Sequence, residues 1–422
     1  MSTEIQAIIL RVYRQEYSRI LATLIDQLHD FELAEEALQD AFEAAMVTWP
    51  KTKIPQRPGA WLTTTAKNKA IDRIRHHRTL SFDPQDTADM PAGNWLVEAD
   101  LDNLDDIPDE RLKLMFTCCH PALSSEQQVA LTLHTLGGLS TSDIAAAFLI
   151  AKTTMAQRLV RAKRKIKQAG IPYYVPPAHL LTERLSGVLT VIYLIFTEGY
   201  ATTSGNVLVQ QDLCDHAIYL CRTLEHLIRK HETDVSNAQY AEVLGLLALM
   251  LLSHARREAR IGDDGRLVLL SEQVRERWDQ RMIQEGLALV EKALYLRSVG
   301  PYQVQAAIGA LHAEAKQANE TDWVQIVALY KTLVQLQDNT ITRLNYAVAV
   351  SMAHGPEFGL GLLEPLADEL ADYAPYHLAQ ADLLTRLGDQ PKARMALQQA
   401  LSLTQNDIER AFIVEKLQQI PE

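Results

Sequence analysis

Four cysteines in 422 residues are too few to staple a disulfide-built secreted scaffold. Two of them, Cys118 and Cys119, are adjacent and precede His120, and the other two, Cys214 and Cys221, stand far downstream. Adjacent thiols lack the spacing of zinc ligands, so they are expected to be buried helical thiols and no metal site is expected. Aromatic residues make up only 6% of the chain, and no alternating run of Val, Ile and Thr marks a sheet. The N-terminus is polar and lacks the apolar stretch of a signal peptide. By the same reading no apolar run approaches the roughly 20 residues that span a bilayer, which implies a soluble, cytoplasmic protein with no membrane partner. There is no Gly-rich phosphate loop, no Gly-flanked nucleophilic serine and no metal-spaced set of acids and histidines. No catalytic residue, cofactor or metal is therefore expected, and the chain does not read as an enzyme.

Hydrophobic residues make up 47% of the chain, led by Leu and Ala, both good helix formers. That composition implies an all-α fold. The net charge is −12, which excludes a general nucleic-acid coat, but the charge is unevenly spread. Residues 51–80 carry eight Lys or Arg and one acid, Asp72; residues 81–110 carry ten acids and no base; residues 144–170 carry seven bases and no acid. Two basic segments flank an acidic one.

Punctuation by proline and glycine divides the chain into residues 1–80, a linker at 81–108, a second block at 109–171 and a long remainder at 172–422. In the first block, Ile8, Ile9, Leu10, Tyr13, Tyr17, Ile20, Leu21, Leu24 and Ile25 recur at helical spacing. A second helix spans about Phe31 to Thr48 and is expected to stop at Trp49-Pro50. A third opens at Pro58, where a missing N–H costs nothing, and continues to about Arg78. Pro84, Pro91, Gly93 and Pro108 among the acids make 81–108 a linker. The second block predicts helices at 109–119, 124–136, 141–149 and 152–168. Gly137-Gly138 suits a left-handed helix end, and Ser140 with Asp143 suits a capping box. Beyond the proline-rich 172–177, everything reads as helices.

Residues 141–168 carry a helix-turn-helix pattern. Ile144, Phe148, Ile150, Met155, Leu159 and Ala162 can form its inner face, and Ala145 and Ala146 allow close approach. The second helix of such a motif enters the DNA major groove. Lys152, Thr153, Thr154 and Gln157 at its start can reach base edges, while Arg158, Arg161, Lys163, Arg164 and Lys165 can neutralise phosphates. Leu149 sits where many such turns have Gly, and it needs a different turn geometry or some strain.

Two further segments carry a family resemblance. Residues 34–42, Ala-Glu-Glu-Ala-Leu-Gln-Asp-Ala-Phe, resemble the sigma-factor helix that docks on the clamp of RNA polymerase. Residues 58–75 resemble the adjoining helix that opens and reads the minus-ten promoter element. With the helix-turn-helix as reader of the minus-thirty-five element, residues 5–170 resemble a two-domain sigma factor of the extracytoplasmic-function group. The resemblance implies core RNA polymerase and promoter DNA as partners. It assigns polymerase docking to Glu35, Glu36, Gln39 and Asp40, all expected on exposed faces, with Ala37, Ala41 and Phe42 packing inward. It assigns minus-ten contacts to Lys67, Asn68, Lys69, Asp72, Arg73 and Arg75, with Asn68 beside a captured base and Asp72 bracing an arginine or accepting from a base. Trp61 reads as core.

The remainder resembles the long subgroup of these factors, which carries a tetratricopeptide-like C-terminal domain. Leu246–Leu252, Arg256–Arg260, Trp278-Asp279, Gln305–Ile308, Thr321–Trp323 and Leu344-Asn345 carry that likeness. The subgroup has Gln-Asp-Arg where this chain has Gln273-Val274-Arg275. Gly388, Ala393, Leu397 and Ala400 fit one repeat unit, with Gln405 where a proline is usual. Arg256, Arg257, Arg260, Asp263, Asp264, Trp278, Asp279, Asp322 and Trp323 form a candidate cluster, most of them as ion pairs or core aromatics. The expected function is promoter-specific initiation, with the extension regulating it in cis and binding a protein or peptide. The alternative is a helix-turn-helix regulator with a tetratricopeptide sensor that does not join the polymerase.

Overall fold

The computed structural model describes residues 2–80, 110–148, 150–201, 204–205, 208–230 and 235–420. The acidic linker at 81–108 and Leu149 lie outside these. The chain divides into two compact units, Met1–Val191 and Ile192–Glu422. The structure is almost entirely helical, as the composition implies.

The first unit opens with α1 (Ser2–Leu28), α2 (Phe31–Thr52) and α3 (Pro58–Leu80), which pack pairwise. Asp30 caps α2 by accepting from the backbone N–H of Glu32 and Leu33. Ala34, Ala37, Leu38, Ala41 and Ala45 put a buried, mostly small-residue stripe on α2, so its neighbours come close. Leu62, Ala66 and Ala70 repeat every four residues on α3 and are fully buried, with Ile20, Leu21, Leu24 and Ile25 of α1 completing the core. The helix expected to stop at Pro50 does not: α2 continues to Thr52 with Pro50 inside it. So close to the C-terminus the proline removes a single intrahelical bond, and Trp49, packed at 5.5 Å against the half-buried Trp61, anchors the last turn.

The second part of this unit comprises α4 (Arg111–Cys118), α5 (Ser125–Thr135), α6 (Thr141–Ala147) and α7 (Lys152–Gln168). Capping boxes at Ser124/Gln127 and Ser140/Asp143 start α5 and α6. Of the two glycines after α5, only Gly138 is left-handed, at φ 68°. Helix α6 is shorter than expected, ending at Ala147. Ile144, Met155, Leu159 and Ala162 are buried where the two helices meet, while Phe148 and Ile150 are half-buried. Helix α8 (Ala178–Tyr200) contains the boundary between the units.

The second unit holds α9 (Gln211–Lys230), α10 (Asn237–His254), α11 (Gln280–Tyr295), α12 (Pro301–Glu314), α13 (Trp323–Leu336), α14 (Thr340–His354), α15 (Pro356–Leu363), α16 (Ala374–Leu387), α17 (Gln390–Leu403) and α18 (Asp407–Gln419). Helices adjacent in sequence pack together, and α10 packs on both α11 and α12. Residues 255–279, between α10 and α11, are mostly irregular, with two short 3-10 turns and one bridge between Ile261 and Leu267. Two-residue strands β1 (Ser204–Gly205) and β2 (Gln405–Asn406) pair in parallel. The expectation that no apolar run is long enough to span a bilayer is corrected: α8 and the region of α10 both qualify by length and composition. The apolar window in the region of α10 is 67% buried within the fold, and that of α8 is 44% buried. All four cysteines are buried, as helical thiols should be.

Candidate nucleic-acid and polymerase interface

The polar face of α3 lies opposite its buried Leu62, Ala66 and Ala70. Asn68, Lys69, Asp72 and Arg75 are exposed along it, and Lys67 is half-buried, where loss of water pulls its ammonium below the ordinary lysine value. Arg73 turns aside. Its guanidinium bonds Asp40 at 2.8 Å and Glu36 at 2.5 Å, both on α2. The acids that brace Arg73 are therefore on the neighbouring helix, and Asp72 makes no such pair among the described residues. This interhelical fork holds two of the expected polymerase-docking acids in place.

On α7 the first turn is open to solvent: Lys152, Thr153, Thr154 and Gln157 are exposed, as are Arg161 and Arg164, while Arg158 is half-buried. Met155, Leu159, Ala162 and Ile166 seat the opposite face. The helix thus presents polar and cationic groups at its N-terminal end, where a recognition helix meets base edges, with arginines following along the same outer surface.

Two of the docking acids expected on exposed faces are not exposed: Asp40, with 27% of its side chain accessible beside Arg73, and Glu35. Glu35 has only 18% of its side chain accessible, because α7 covers it. Lys163 bonds one carboxylate oxygen, and His134 Nε2 stands 3.7 Å from the other. Burial by itself raises the Glu35 carboxyl; His134 and Lys163 outweigh it and hold the group below the ordinary carboxylate value. Lys163, expected at a phosphate, is engaged instead with this acid. Nearby, Lys167 pairs with Asp30 at 3.2 Å, Lys113 with Asp26 at 2.9 Å, and Tyr173 donates to the Ala22 carbonyl at 3.0 Å. Tyr13 and Tyr17 lie against Gly138, whose positive φ, not the space around it, favours glycine there. The sequence carried no signal for these pairings, since each joins residues far apart in the chain. Gln39 is exposed and bonds Glu43, while Ala37, Ala41 and Phe42 are buried.

In the second unit, several members of the candidate cluster have structural roles. Asp279 and Asp322 cap α11 and α13. Arg257 pairs with Asp279 at 3.4 Å, Arg277 with Asp263 at 3.2 Å, and Arg266 with Asp264 at 3.4 Å. Trp278 is buried, and Trp323 meets His312 edge-on at 5.2 Å. No group of three metal-ligating side chains occurs among the described residues.

Comparison with known proteins fits this geometry. Residues 10–79 match the family described as Sigma-70 region 2, and residues 113–166 match Sigma-70, region 4. Residues 184–294 match a family of unknown function, DUF6596. The two sigma regions on one helical chain support an RNA polymerase sigma factor of extracytoplasmic-function-like type, and such domains imply binding to core polymerase and promoter DNA. The chain belongs to the family of the Rhizobium meliloti (strain 1021) protein described as uncharacterized protein R00370, to which it is 41% identical over 395 residues, covering 93% of this chain and 91% of that one. It is also 29% identical over 150 residues to the probable ECF RNA polymerase sigma factor SigI of Mycobacterium tuberculosis, covering 35% of this chain and 51% of SigI.

Proposed function

We propose that the first unit divides promoter recognition between α3 and α7, and that α2 carries it to core RNA polymerase. Lys67, Asn68, Lys69, Asp72 and Arg75 contact the minus-ten element, and Arg73 positions α3 through its fork on α2. Lys152, Thr153, Thr154 and Gln157 read the minus-thirty-five element, while Arg158, Arg161 and Arg164 contact phosphates. Glu35, Glu36, Gln39 and Asp40 meet a basic polymerase surface, which sets orientation and on-rate. Use of Glu35 requires its release from Lys163 and His134.

The observation that carries this reading is the exposed polar face of α3 on the same chain as the open first turn of α7. A regulator that binds only duplex DNA has no use for the former. Run-off transcription with purified core polymerase tests it: promoter-specific transcripts are expected, and their absence across several candidate promoters refutes it. The second unit, read as tetratricopeptide-like helix pairs such as α16–α17, regulates this activity in cis through a protein or peptide partner. Removal of residues after Tyr200, which keeps α8 whole, is expected to change promoter output in cells; unchanged output refutes the regulatory role.

A further inference from the structure

The second unit carries 30 acidic and 20 basic residues, so carboxylates to pair its arginines are abundant. Within residues 256–277, Arg257, Arg266 and Arg277 each have one within 4.0 Å. Arg256, Arg260 and Arg275 have none among the described residues, although all three are half-buried and gathered around two aromatic rings. The Arg260 guanidinium lies 4.1 Å from the centre of the Tyr200 ring. Arg256 donates to the Tyr200 hydroxyl at 3.0 Å and stands 5.7 Å from the Trp278 ring, which also carries Arg275 at 4.4 Å.

Ring faces offset part of a cation's desolvation, but guanidinium donors point out of the edge of the group, where a ring cannot accept them. Arg260 gives one N–H to the Tyr200 carbonyl and Arg275 one to the His312 carbonyl, but among the described residues the Arg275 Nε and the Trp278 indole nitrogen, on a side chain 97% buried, have no acceptor. The local positive field is strong enough to act on its neighbours. Burial and the charges of Arg256 and Arg275 push the His312 imidazole down to about 4, so it adds no charge at neutral pH. Burial and Arg256 likewise lower Arg275. Glu409 feels the charge of Arg260, yet burial outweighs that charge and raises its carboxyl.

We propose that Arg256, Arg260 and Arg275 form a binding site for a phosphate-bearing small molecule. None of the three cations has a carboxylate within 4.0 Å among the described residues. A phosphate group carries about −1.5 to −2 at neutral pH and offers three acceptor oxygens, as many as there are guanidiniums around the Tyr200 and Trp278 rings. The site sits in the irregular segment between α10 and α11, where ligand-binding residues are held by flanking helices. It does not depend on the promoter-reading assignment of the first unit.

The test is isothermal titration of the full chain with inorganic phosphate, with adenosine monophosphate and with acetate, at ionic strength matched by sodium chloride. Saturable binding of a phosphate compound is expected, with acetate at least tenfold weaker. Tighter binding of the nucleotide identifies a phosphate ester as ligand; equal binding identifies the bare phosphate group. Arg256→Gln and Arg275→Gln should each weaken binding by about 10- to 100-fold, the loss of one charge-assisted hydrogen bond. Arg277→Gln, whose partner is Asp263, should leave it unchanged. Circular dichroism is read on each variant first. Should Arg275→Gln unfold, because it also bonds His312, Arg256→Gln and Arg260→Gln decide the matter. No saturable binding, acetate binding as tightly as phosphate, or an equal loss in Arg277→Gln overturns the site.

Discussion

Replacing Gly245 with alanine sets two opposite effects against each other where α10 packs on α12. A β-carbon there would lie 2.6 Å from the backbone nitrogen of Gln303 and 2.9 Å from its α-carbon. Backbone cannot rotate out of the way as a side-chain tip can, so the helices must separate. Overpacking of this kind costs about 1–3 kcal/mol. Separation also stretches the hydrogen bonds by which the Glu242 carboxylate accepts from Tyr302 and Gln303 at 3.1 and 3.2 Å, at the start of α12. Bonds to charged groups contribute about 1.5–3 kcal/mol each, and a partial stretch loses a fraction of that. Against this, alanine in a helix interior gains about 1 kcal/mol over glycine. The net is destabilisation by about 2 kcal/mol, and for a unit of this size each kcal/mol lowers the melting temperature by about 2–4 °C. Calorimetry of the full chain is the assay, since the two units need not melt together. A fall of about 4–8 °C in one transition is expected. A melting temperature equal to the parent's, or higher, refutes the argument, because the propensity gain would then have outweighed the clash.

Three further outcomes follow from the first unit. Gln157→Ala should cost about 1–3 kcal/mol in DNA binding and relax preference at one base pair, whereas Arg164→Ala should weaken all sequences alike and reduce the salt slope by about one; gel-shift titrations at several salt concentrations separate the two. Asn68→Ala should slow promoter opening, followed by permanganate reactivity of unpaired thymines, more than it weakens the closed complex; equal losses would remove Asn68 from strand capture. The contact of Glu35 with Lys163 and His134 should loosen in acid. The folded pKa of Glu35 lies below its unfolded value, so its contribution is present above the unfolded value and is lost as pH falls through the folded one. Protection of the α2 amides in hydrogen exchange should fall in that window in the parent and stay flat in Glu35→Gln; parallel curves would refute the linkage. The groups facing this carboxylate are Lys163, His134, Tyr13, Tyr17 and Cys118.

Much of the helical layout was legible because its signals are local. The capping boxes at Ser124 and Ser140 bracket α5 and α6 from residues three apart. The α7 inner face follows from Met155, Leu159, Ala162 and Ile166 at helical spacing. The error at Pro50 was also local: proline stops a helix only when the bond it removes is not replaced by packing, and the burial of Trp49 is a tertiary fact. The long apolar character of α8 and α10 was underestimated because scattered polar residues interrupt runs without lowering the mean hydropathy of a whole helix.

The lack of disulfides, the helical composition, the charge blocks and the order of the motifs belong to the sequence alone, because each depends on residue type and short-range spacing. What the residues do with their charges was decided only in three dimensions. Glu35 and Arg73 read as surface groups from the sequence. Folding brings Lys163, 128 positions away, onto Glu35, and carries Arg73 onto Glu36 and Asp40. Arg257 and Arg256 are neighbours in the chain, yet among the described residues one has a carboxylate within 4.0 Å and the other has none. An ion pair requires atoms within a few ångströms, and spacing along the chain sets that distance only within a single helix.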